Sequence, residues 1–418
     1  MTARELARRV LERIERDKAW ATPTLDGELA RAGLDDRDRR LASELVYGVL
    51  RHRSRLDRAL AAHADLKKTP LRVVIALRVA AYQLMFLDRV PAYAVVDDAV
   101  GAARGSGGAK LAGFANAVLR KVGAGHEKAF APGDLGAEFS LPKWILEELR
   151  AADPDAVAAH AAALATAAPL VARANRRRTT REDVIQTLEE ASVDARPVDI
   201  APGTPQAFEL DNLGDPARSP SFMAGLWTVQ DPGAQLVAHL AAPRAGMKIL
   251  DACAGVGGKS THLAELADDA APIDAADRSE TKLGLANATA RRLGHTSVRT
   301  VMCDLTDPRA PLATDYDLIV LDAPCTGLGV LRRHPDAKWR LIANDVPRLA
   351  GVQRELLDAV APRLGPAGAL IYSVCTFTRA EGPEQARAFA ERSGLRLVFE
   401  HRTWPPDADA FYLARFER

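Results

Sequence analysis

The spacing of hydrophobic positions divides the chain into three regions. In residues 1–130 apolar side chains recur every three or four positions, as at Leu6, Val10 and Ile14, which predicts amphipathic helices. A glycine-rich joint at 105–108 precedes the last of these helices. The first region therefore predicts a small all-helical domain, with further helical segments at Leu41–Leu60, Leu71–Asp88 and Phe114–Val122.

Residues 131–224 mix the two periodicities and predict a small α+β domain. Strands are expected at Pro169–Ala174 and Arg196–Ile200, and a helix at Asp183–Ala191, begun by a capping box of Thr179 and Glu182. We expect 201–221 to be an irregular connection. A dense basic cluster surrounds the corner between the first strand and the helix, and phosphate binding is favoured over a solvated loop for its five residues, Arg173, Arg176, Arg177, Arg178 and Arg181.

In residues 225–418 short apolar runs alternate with amphipathic helices. This order predicts a mostly parallel sheet covered on both faces, with the ligand crevice beyond the carboxyl ends of the strands. Five of these ends carry polar side chains, namely Asp251, Asp277, Asp304, Asp322 and Cys375. The predicted strands are Met247–Asp251, Ile273–Asp277, Val298–Asp304, Asp317–Asp322, Ala369–Cys375, Leu395–Glu400 and Phe411–Phe416, and the predicted helices are Ser279–Leu293, Arg348–Leu364 and Pro383–Ser393.

Composition limits the function classes. A length of 418 residues predicts two or three domains, and a formal net charge of +1 requires any nucleic-acid surface to be local. Four cysteines exclude a disulfide scaffold, and their spacing gives no zinc pattern, so we expect no metal. Neither a signal peptide nor an apolar run of about 18 residues is found. We therefore expect a cytoplasmic protein, acting as a monomer.

A glycine-rich turn after the first strand of the third region predicts a cofactor loop. A dinucleotide fingerprint would need a third glycine where Ser260 stands, and a phosphate-binding P-loop would need glycine at Cys253. S-adenosylmethionine carries no phosphates, and the carboxylates of Asp304 and Asp322 suit its positive charge. Asp277, 19 residues after Gly258 (277 − 258), is placed to bind ribose hydroxyls. The loop comprises Cys253, Ala254, Gly255, Val256, Gly257, Gly258 and Lys259.

Two cysteines at neighbouring strand ends indicate covalent chemistry on a pyrimidine. A thiolate that adds to C6 of cytosine makes C5 nucleophilic enough to attack a methyl donor. Asp322 could hydrogen-bond the base edge. Residue chemistry leaves open whether Cys325 or Cys375 is the nucleophile. Cys253 and Cys303 are instead expected to be small buried hydrophobic residues.

These residues resemble the Sun family of RNA cytosine-5 methyltransferases, and within it the bacterial RsmB/Sun type that modifies small-subunit ribosomal RNA. The most specific segments are Asp322-Ala-Pro-Cys325 and Arg332-Arg-His-Pro-Asp336. Val229-Gln-Asp231 resembles the segment before the family's catalytic core. The first region resembles a NusB-like RNA-binding domain, on the segments Leu45–Arg51, Tyr82–Pro91 and Phe114–Arg120.

The resemblance implies a Rossmann-like methyltransferase domain and roles for individual residues. Cys375 would be the nucleophile, Cys325 would assist its release, and Asp322 would lie between cofactor and base. Asp277 would bind the ribose and Asp304 the adenine side, while Arg332 and Arg333 could guide the RNA. The loop Ala254-Gly-Val-Gly-Gly258 departs from the family's Ala-Ala-Pro-Gly-Gly. Two other functions stay open: an RNA-binding assembly factor with weak or lost activity, and a tRNA cytosine-5 methyltransferase.

Overall fold

The computed structural model describes residues 1–125 and 133–418. By their internal packing the described residues form two compact units, Met1–Ala167 with Leu331–Leu341, and Ala168–Val330 with Ile342–Arg418. The chain thus enters the first unit a second time, directly after the predicted Cys325 loop. The predicted domain boundary between residues 130 and 131 lies outside the described residues.

The first unit is helical, as predicted, and its described residues contain no strand. Its first helix begins with a capping box between Thr2 and Glu5, and the helix buries Leu6, Val10 and Ile14. The fifth helix is interrupted at Gly107 and Gly108, within the predicted glycine joint. The helices are α1 Ala3–Asp17, α2 Ala21–Ala32, α3 Asp36–Ala61, α4 Leu71–Phe86, α5 Ala92–Gly125, α6 Leu135–Glu138, α7 Lys143–Ala152, α8 Val157–Leu164 and, in the re-entering segment, α14 Ala337–Arg340.

The re-entering segment is held at a kink in α3. Backbone angles at His52 leave the helical region (φ −107°, ψ 16°), which frees carbonyl groups of the preceding turn. Lys338 Nζ donates to Arg51 O at 2.6 Å, and Trp339 Nε1 donates to Leu50 O at 2.6 Å. The kink therefore frees the two carbonyl oxygens, Leu50 O and Arg51 O, to which the re-entering segment binds.

A four-stranded antiparallel sheet opens the second unit, in the order β2-β3-β1-β4. The expectation of an irregular connection at 201–221 is wrong for the strand β3, which pairs with β1 on one side and β2 on the other and buries Phe208 and Leu210. The cap of the next helix, α9, is Thr180 and not the predicted Thr179. These elements are β1 Leu170–Ala174, α9 Arg181–Glu190, β2 Asp194–Pro197, β3 Ala207–Asp211, α10 Pro220–Met223 and β4 Trp227–Val229.

A seven-stranded sheet in the order β10-β11-β9-β8-β5-β6-β7 forms the rest of the second unit. The five strands from β9 to β7 are parallel, and β11 and β10 add antiparallel pairs, which confirms the mostly parallel prediction. The strands are β5 Ile249–Ala252, β6 Ile273–Asp277, β7 Val298–Met302, β8 Tyr316–Asp322, β9 Leu364–Val374, β10 Arg396–Arg402 and β11 Tyr412–Glu417.

Helices cover both faces of this sheet. Along β8, Leu318 and Val320 pack in one apolar cluster, and Ile319 and Leu321 pack in another. The first cluster includes side chains of α11 and α12, and the second includes side chains of α15 and α16. The helices of this layer are α11 Pro232–Ala241, α12 Gly258–Leu266, α13 Glu280–Leu293, α15 Asp345–Val360 and α16 Pro383–Ser393.

Candidate active site

The glycine-rich loop joins β5 to α12 by a tight left-handed path. Cys253, Gly255 and Gly257 all have positive φ angles, of 65°, 57° and 82°. At Gly257 a Cβ atom would lie 2.9 Å from Ala286 Cβ, so this position accepts only glycine without a shift of the neighbouring helix. The predicted strand–turn–helix is therefore present, and its loop also approaches α13 closely.

Asp277, at the end of β6, is fixed against this loop. Its Oδ2 accepts a hydrogen bond from Gly255 N at 3.0 Å, and its Oδ1 accepts one from Ser279 N at 2.8 Å. Each carboxylate oxygen keeps a lone pair, so the group can still accept hydrogen bonds from ribose hydroxyls. Asp304 follows β7 and pairs with Arg278 at 3.2 Å. The donor and acceptor set thus fits a nucleoside-containing cofactor.

Asp322, at the end of β8, is already paired with a cation of the same chain. Lys259 Nζ lies 2.5 Å from Asp322 Oδ2, and Ser373 Oγ donates to Asp322 Oδ1 at 2.7 Å. Burial lowers the pKa of Lys259, but the carboxylates of Asp322 and, to a smaller extent, Asp251 raise it, and the net shift is upward. From the sequence we expected the charge of Asp322 to be available to a cationic cofactor. The structure shows that Lys259 offsets that charge.

Asp251 is a structural group under the loop. It lies inside β5 with no exposed surface, and its Oδ2 accepts a hydrogen bond from Ser260 Oγ. Burial raises the pKa of Asp251 to about 7. The expectation that Asp251 ends its strand and faces the ligand crevice is therefore wrong.

The structure brings Cys325 and Cys375 together. Their Sγ atoms are 3.4 Å apart, although the residues belong to loops after different strands. The hydrogen bond with Cys375, together with burial, raises the pKa of the Cys325 thiol well above its usual range. Cys325 is therefore protonated at neutral pH.

A buried carboxylate that the sequence interpretation left without a role organises the two cysteine loops. Glu381 Oε1 accepts from Thr326 N at 2.8 Å, and Oε2 accepts from Thr326 Oγ1 at 2.6 Å. Thr378 Oγ1 donates to Oε2 at 2.9 Å, and Gln353 Nε2 to Oε1 at 3.1 Å. A sequence signal was present, because a threonine directly follows each of the two paired cysteines.

The other two cysteines pack with the apolar interior. Cys253 and Cys303 both contact the cluster that lies between the sheet and α15 and α16. Burial raises the pKa of the Cys253 thiol to about 12, so this thiol stays neutral. Among residues 1–125 and 133–418 no three His, Cys, Asp or Glu side chains are grouped as metal ligands are. No helix in the described part of the chain is long and apolar enough to span a membrane.

The predicted RNA-binding arginines have partners within their own units. Arg176 pairs with Asp268 and Arg177 with Asp269, both at 3.4 Å, and Arg178 donates to Ala224 O. All three remain exposed in part. Arg332 is buried in the first unit and donates to Ala167 O at 3.3 Å, which argues against its predicted contact with RNA.

Three family models match the chain in the order of its regions. The NusB family matches residues 1–124, and a ferredoxin-like domain of RsmF/B-like methyltransferases matches residues 141–214. The family of 16S rRNA methyltransferases RsmB/F matches residues 238–417. The helical unit, the antiparallel sheet and the parallel sheet thus each correspond to a known domain family.

Solved structures share the fold at low sequence identity. The protein PH0851 matches with a TM-score of 0.81 over 100% of this chain and 99% of its own, at 21% identity. NSun6 from Pyrococcus horikoshii, solved with SFG, matches with a TM-score of 0.59 over 66% of this chain and 98% of its own, at 20% identity.

Curated relatives match nearly end to end. The probable ribosomal RNA small subunit methyltransferase B of Synechocystis is 34% identical over 97% of this chain and 90% of its own length. The Vibrio cholerae ribosomal RNA small subunit methyltransferase B is 36% identical over 87% and 83%, and the probable enzyme of Bacillus subtilis is 30% identical over 97% and 90%. With this coverage and the paired cysteines of its catalytic sheet, the chain belongs to the RsmB/F family of 16S rRNA methyltransferases and is an RNA methyltransferase with a NusB-type N-terminal domain.

Proposed function

We propose that this protein transfers a methyl group from S-adenosylmethionine to C5 of a cytosine in 16S rRNA, through a covalent bond between Cys375 and C6 of the base. The pair of sulfur atoms 3.4 Å apart carries this proposal. One thiol is needed to form the adduct and a second group to resolve it, and the pair supplies both. The names of the relatives support ribosomal RNA as the substrate class.

The loop and strand ends supply groups for the cofactor. The loop residues 253–259 would surround it, Asp277 would bind the ribose hydroxyls, and Asp304 would lie on the adenine side. S-adenosylmethionine supplies an electrophilic methyl group when bound. Asp322 would lie between cofactor and base, with Lys259 offsetting part of its charge.

The charges around the two cysteines favour Cys375 as the nucleophile. The raised pKa of Cys325 keeps that thiol protonated, so Cys325 can donate a proton and Cys375 is left to act as the nucleophile. The Cys375 thiolate adds to C6, and C5 would then take the methyl group while the bond between the methyl carbon and the sulfonium sulfur breaks and S-adenosylhomocysteine leaves. A base removes the C5 proton, the C5–C6 double bond re-forms, and the C6–S bond breaks. Cys325 assists by donating its proton to the departing sulfur.

Recognition of RNA would use charge and an extruded base. The target cytosine must be unpaired or flipped out of its stack before a thiolate can reach C6. We keep Arg176, Arg177, Arg178 and Arg333 as RNA contacts in this proposal, because each retains exposed surface. Since ribosomal RNA is the proposed substrate, the cytoplasm is the proposed place of action.

Substitution of the two cysteines separates their roles. Cys375→Ala should abolish transfer of label from S-adenosylmethionine to extracted 16S rRNA, and Cys325→Ala should accumulate a protein–RNA adduct that survives denaturing electrophoresis. Cys303→Ala is the matched control and should behave as the wild type. Turnover by Cys375→Ala would overturn its role as nucleophile. Labelling of extracted tRNA in place of rRNA would overturn the substrate class.

A further inference from the structure

A fully buried ion pair joins the antiparallel sheet to the helix that follows the cofactor loop. Arg173 in β1 and Glu265 in α12 are both 0% exposed, and Arg173 Nη2 lies 3.2 Å from Glu265 Oε2. Burying two charges costs solvation free energy, so such a pair is weak evidence for stability alone. Its position between the antiparallel sheet and α12 indicates a role in holding these two elements together.

We expected the basic cluster to lie outside the core, but Arg173, the first residue of the cluster, is fully buried.

The guanidinium of Arg173 also reaches the cofactor loop itself. Its Nη1 donates to Gly258 O at 3.3 Å and to the side-chain oxygen of Gln230. Gln230 Nε2 donates to the same Gly258 carbonyl at 3.3 Å. Thr261 Oγ1 adds a bond to Gly257 O at 2.8 Å. The last two glycines of the loop are therefore held through their carbonyl groups.

The two donors are themselves fixed by the antiparallel sheet. Arg173 is a residue of β1, and Gln230 N donates to Val171 O at 3.0 Å. Gln235 Nε2 bonds both Gln230 O, at 2.9 Å, and Ala172 O, at 3.3 Å. Through Arg173 and Gln230, the antiparallel sheet therefore determines the position of Gly258 O. Gln230 belongs to the segment Val229–Asp231, which resembles a segment of the family but had no function assigned to it from the sequence.

We propose that Arg173 and Gln230 are positioning residues for the cofactor loop, an inference that rests on the proposed function. Three glycines within residues 255–258 make the free loop flexible, and ordering it on binding would cost conformational entropy. The donors from Arg173 and Gln230 to Gly258 O fix the end of the loop in advance, so that Gly255 N meets Asp277 Oδ2 before any ligand arrives. A preorganised loop binds its ligand more tightly.

Gln230→Leu tests the proposal with little risk to the fold, because Arg173 and Glu265 stay paired. Calorimetry with S-adenosylhomocysteine on the full-length protein should give an affinity about tenfold weaker than that of the wild type, the ratio that corresponds to one lost hydrogen bond. The KM for S-adenosylmethionine should rise by the same factor, while kcat at saturation stays unchanged. Arg173→Lys, which keeps a charge beside Glu265 but loses the second donor, should weaken binding similarly.

Arg292→Met is the matched control. Arg292 ties α13 to the same antiparallel sheet, through bonds to Phe222 O at 2.7 Å, Trp227 O at 3.0 Å and Thr228 Oγ1 at 3.2 Å. Its loss should leave the affinity for S-adenosylhomocysteine unchanged. Equal binding by Gln230→Leu, Arg173→Lys and the wild type would overturn the positioning role alone. A wild-type protein that binds no S-adenosylhomocysteine would overturn the proposed function as well.

Discussion

Thr326 Oγ1 and Thr376 Oγ1 lie 3.0 Å apart, and each threonine directly follows one of the two paired cysteines. Thr326 also donates twice to the buried carboxylate of Glu381, from its backbone N–H and from its hydroxyl. The two cysteine loops are therefore held together by a polar network next to the sulfur atoms. Because Glu381 has no exposed surface, water cannot replace these bonds.

Glu381→Gln should lower kcat by about tenfold or more and lower the free energy of unfolding by about 2 kcal/mol. The amide nitrogen cannot accept a hydrogen bond, so some donors among Thr326, Thr378 and Gln353 lose their partner. Affinity for S-adenosylhomocysteine should hold, because the bonds of Glu381 go to the cysteine loops. Single-turnover methylation, urea unfolding and calorimetry measure the three quantities.

The control for this substitution is Glu384→Gln. Glu384 lies three positions further along and pairs with Arg379 at 3.0 Å, with about half of each side chain exposed. Exposed pairs contribute little to stability, so activity and unfolding should not change. Wild-type kcat in Glu381→Gln would show that the network does not position the cysteines.

Local pattern predicted the catalytic sheet closely. The strand β6 and the helix α16 have the predicted bounds, Ile273–Asp277 and Pro383–Ser393. Both are signalled by nearby residues: the strand by apolar side chains before an acidic end, and the helix by proline at its first position and Gly394 at its left-handed cap. These signals lie within the elements or next to them in the chain, so they can be read from the local sequence.

Features that depend on distant partners could not be predicted in this way. The strand β3 lies in a segment rich in proline and glycine and becomes a strand by pairing with β1 and β2. Arg173 was grouped with surface arginines because its partner, Glu265, is 92 positions away. The pairing of Lys259 with Asp322 spans 63 positions. In each case tertiary contacts determine the chemistry of the residue.

Lys259→Met should slow the alkylation of Cys375 by iodoacetamide at neutral pH. The Lys259 ammonium stays charged through neutral pH and interacts electrostatically with Cys375, so its loss removes a positive charge next to the reacting sulfur. Mass spectrometry of the Cys375 peptide over time gives the rate. Lys248→Met, which removes an exposed lysine paired with Asp315, is the control. An unchanged rate in Lys259→Met would show that Lys259 does not influence the reactivity of Cys375.

The buried Asp251 predicts a pH dependence of stability with a definite sign. In the native state the pKa of Asp251 is raised to about 7, whereas the pKa of an aspartate in an unfolded chain is about 3.9. Between these values the native state binds more protons, so the contribution of Asp251 to stability falls as pH rises from about 4 to 7. Asp251→Asn cannot ionise and should gain stability relative to the wild type over this range. Urea unfolding at four pH values measures the difference, and a constant difference would contradict the raised pKa.

The arginines Arg176, Arg177 and Arg178 can hold the two sheets together and can bind RNA. Substitution by a neutral residue distinguishes the two effects. The triple variant Arg176→Gln, Arg177→Gln and Arg178→Gln should reduce the salt dependence of RNA binding by about two to three units of slope, because up to three phosphate contacts are lost. Its stability should change little, since all three arginine side chains are exposed. Arg196→Gln, an exposed arginine of the same sheet, should leave both quantities unchanged. An unchanged slope with lower stability in the triple variant would show that the cluster serves only to hold the sheets together.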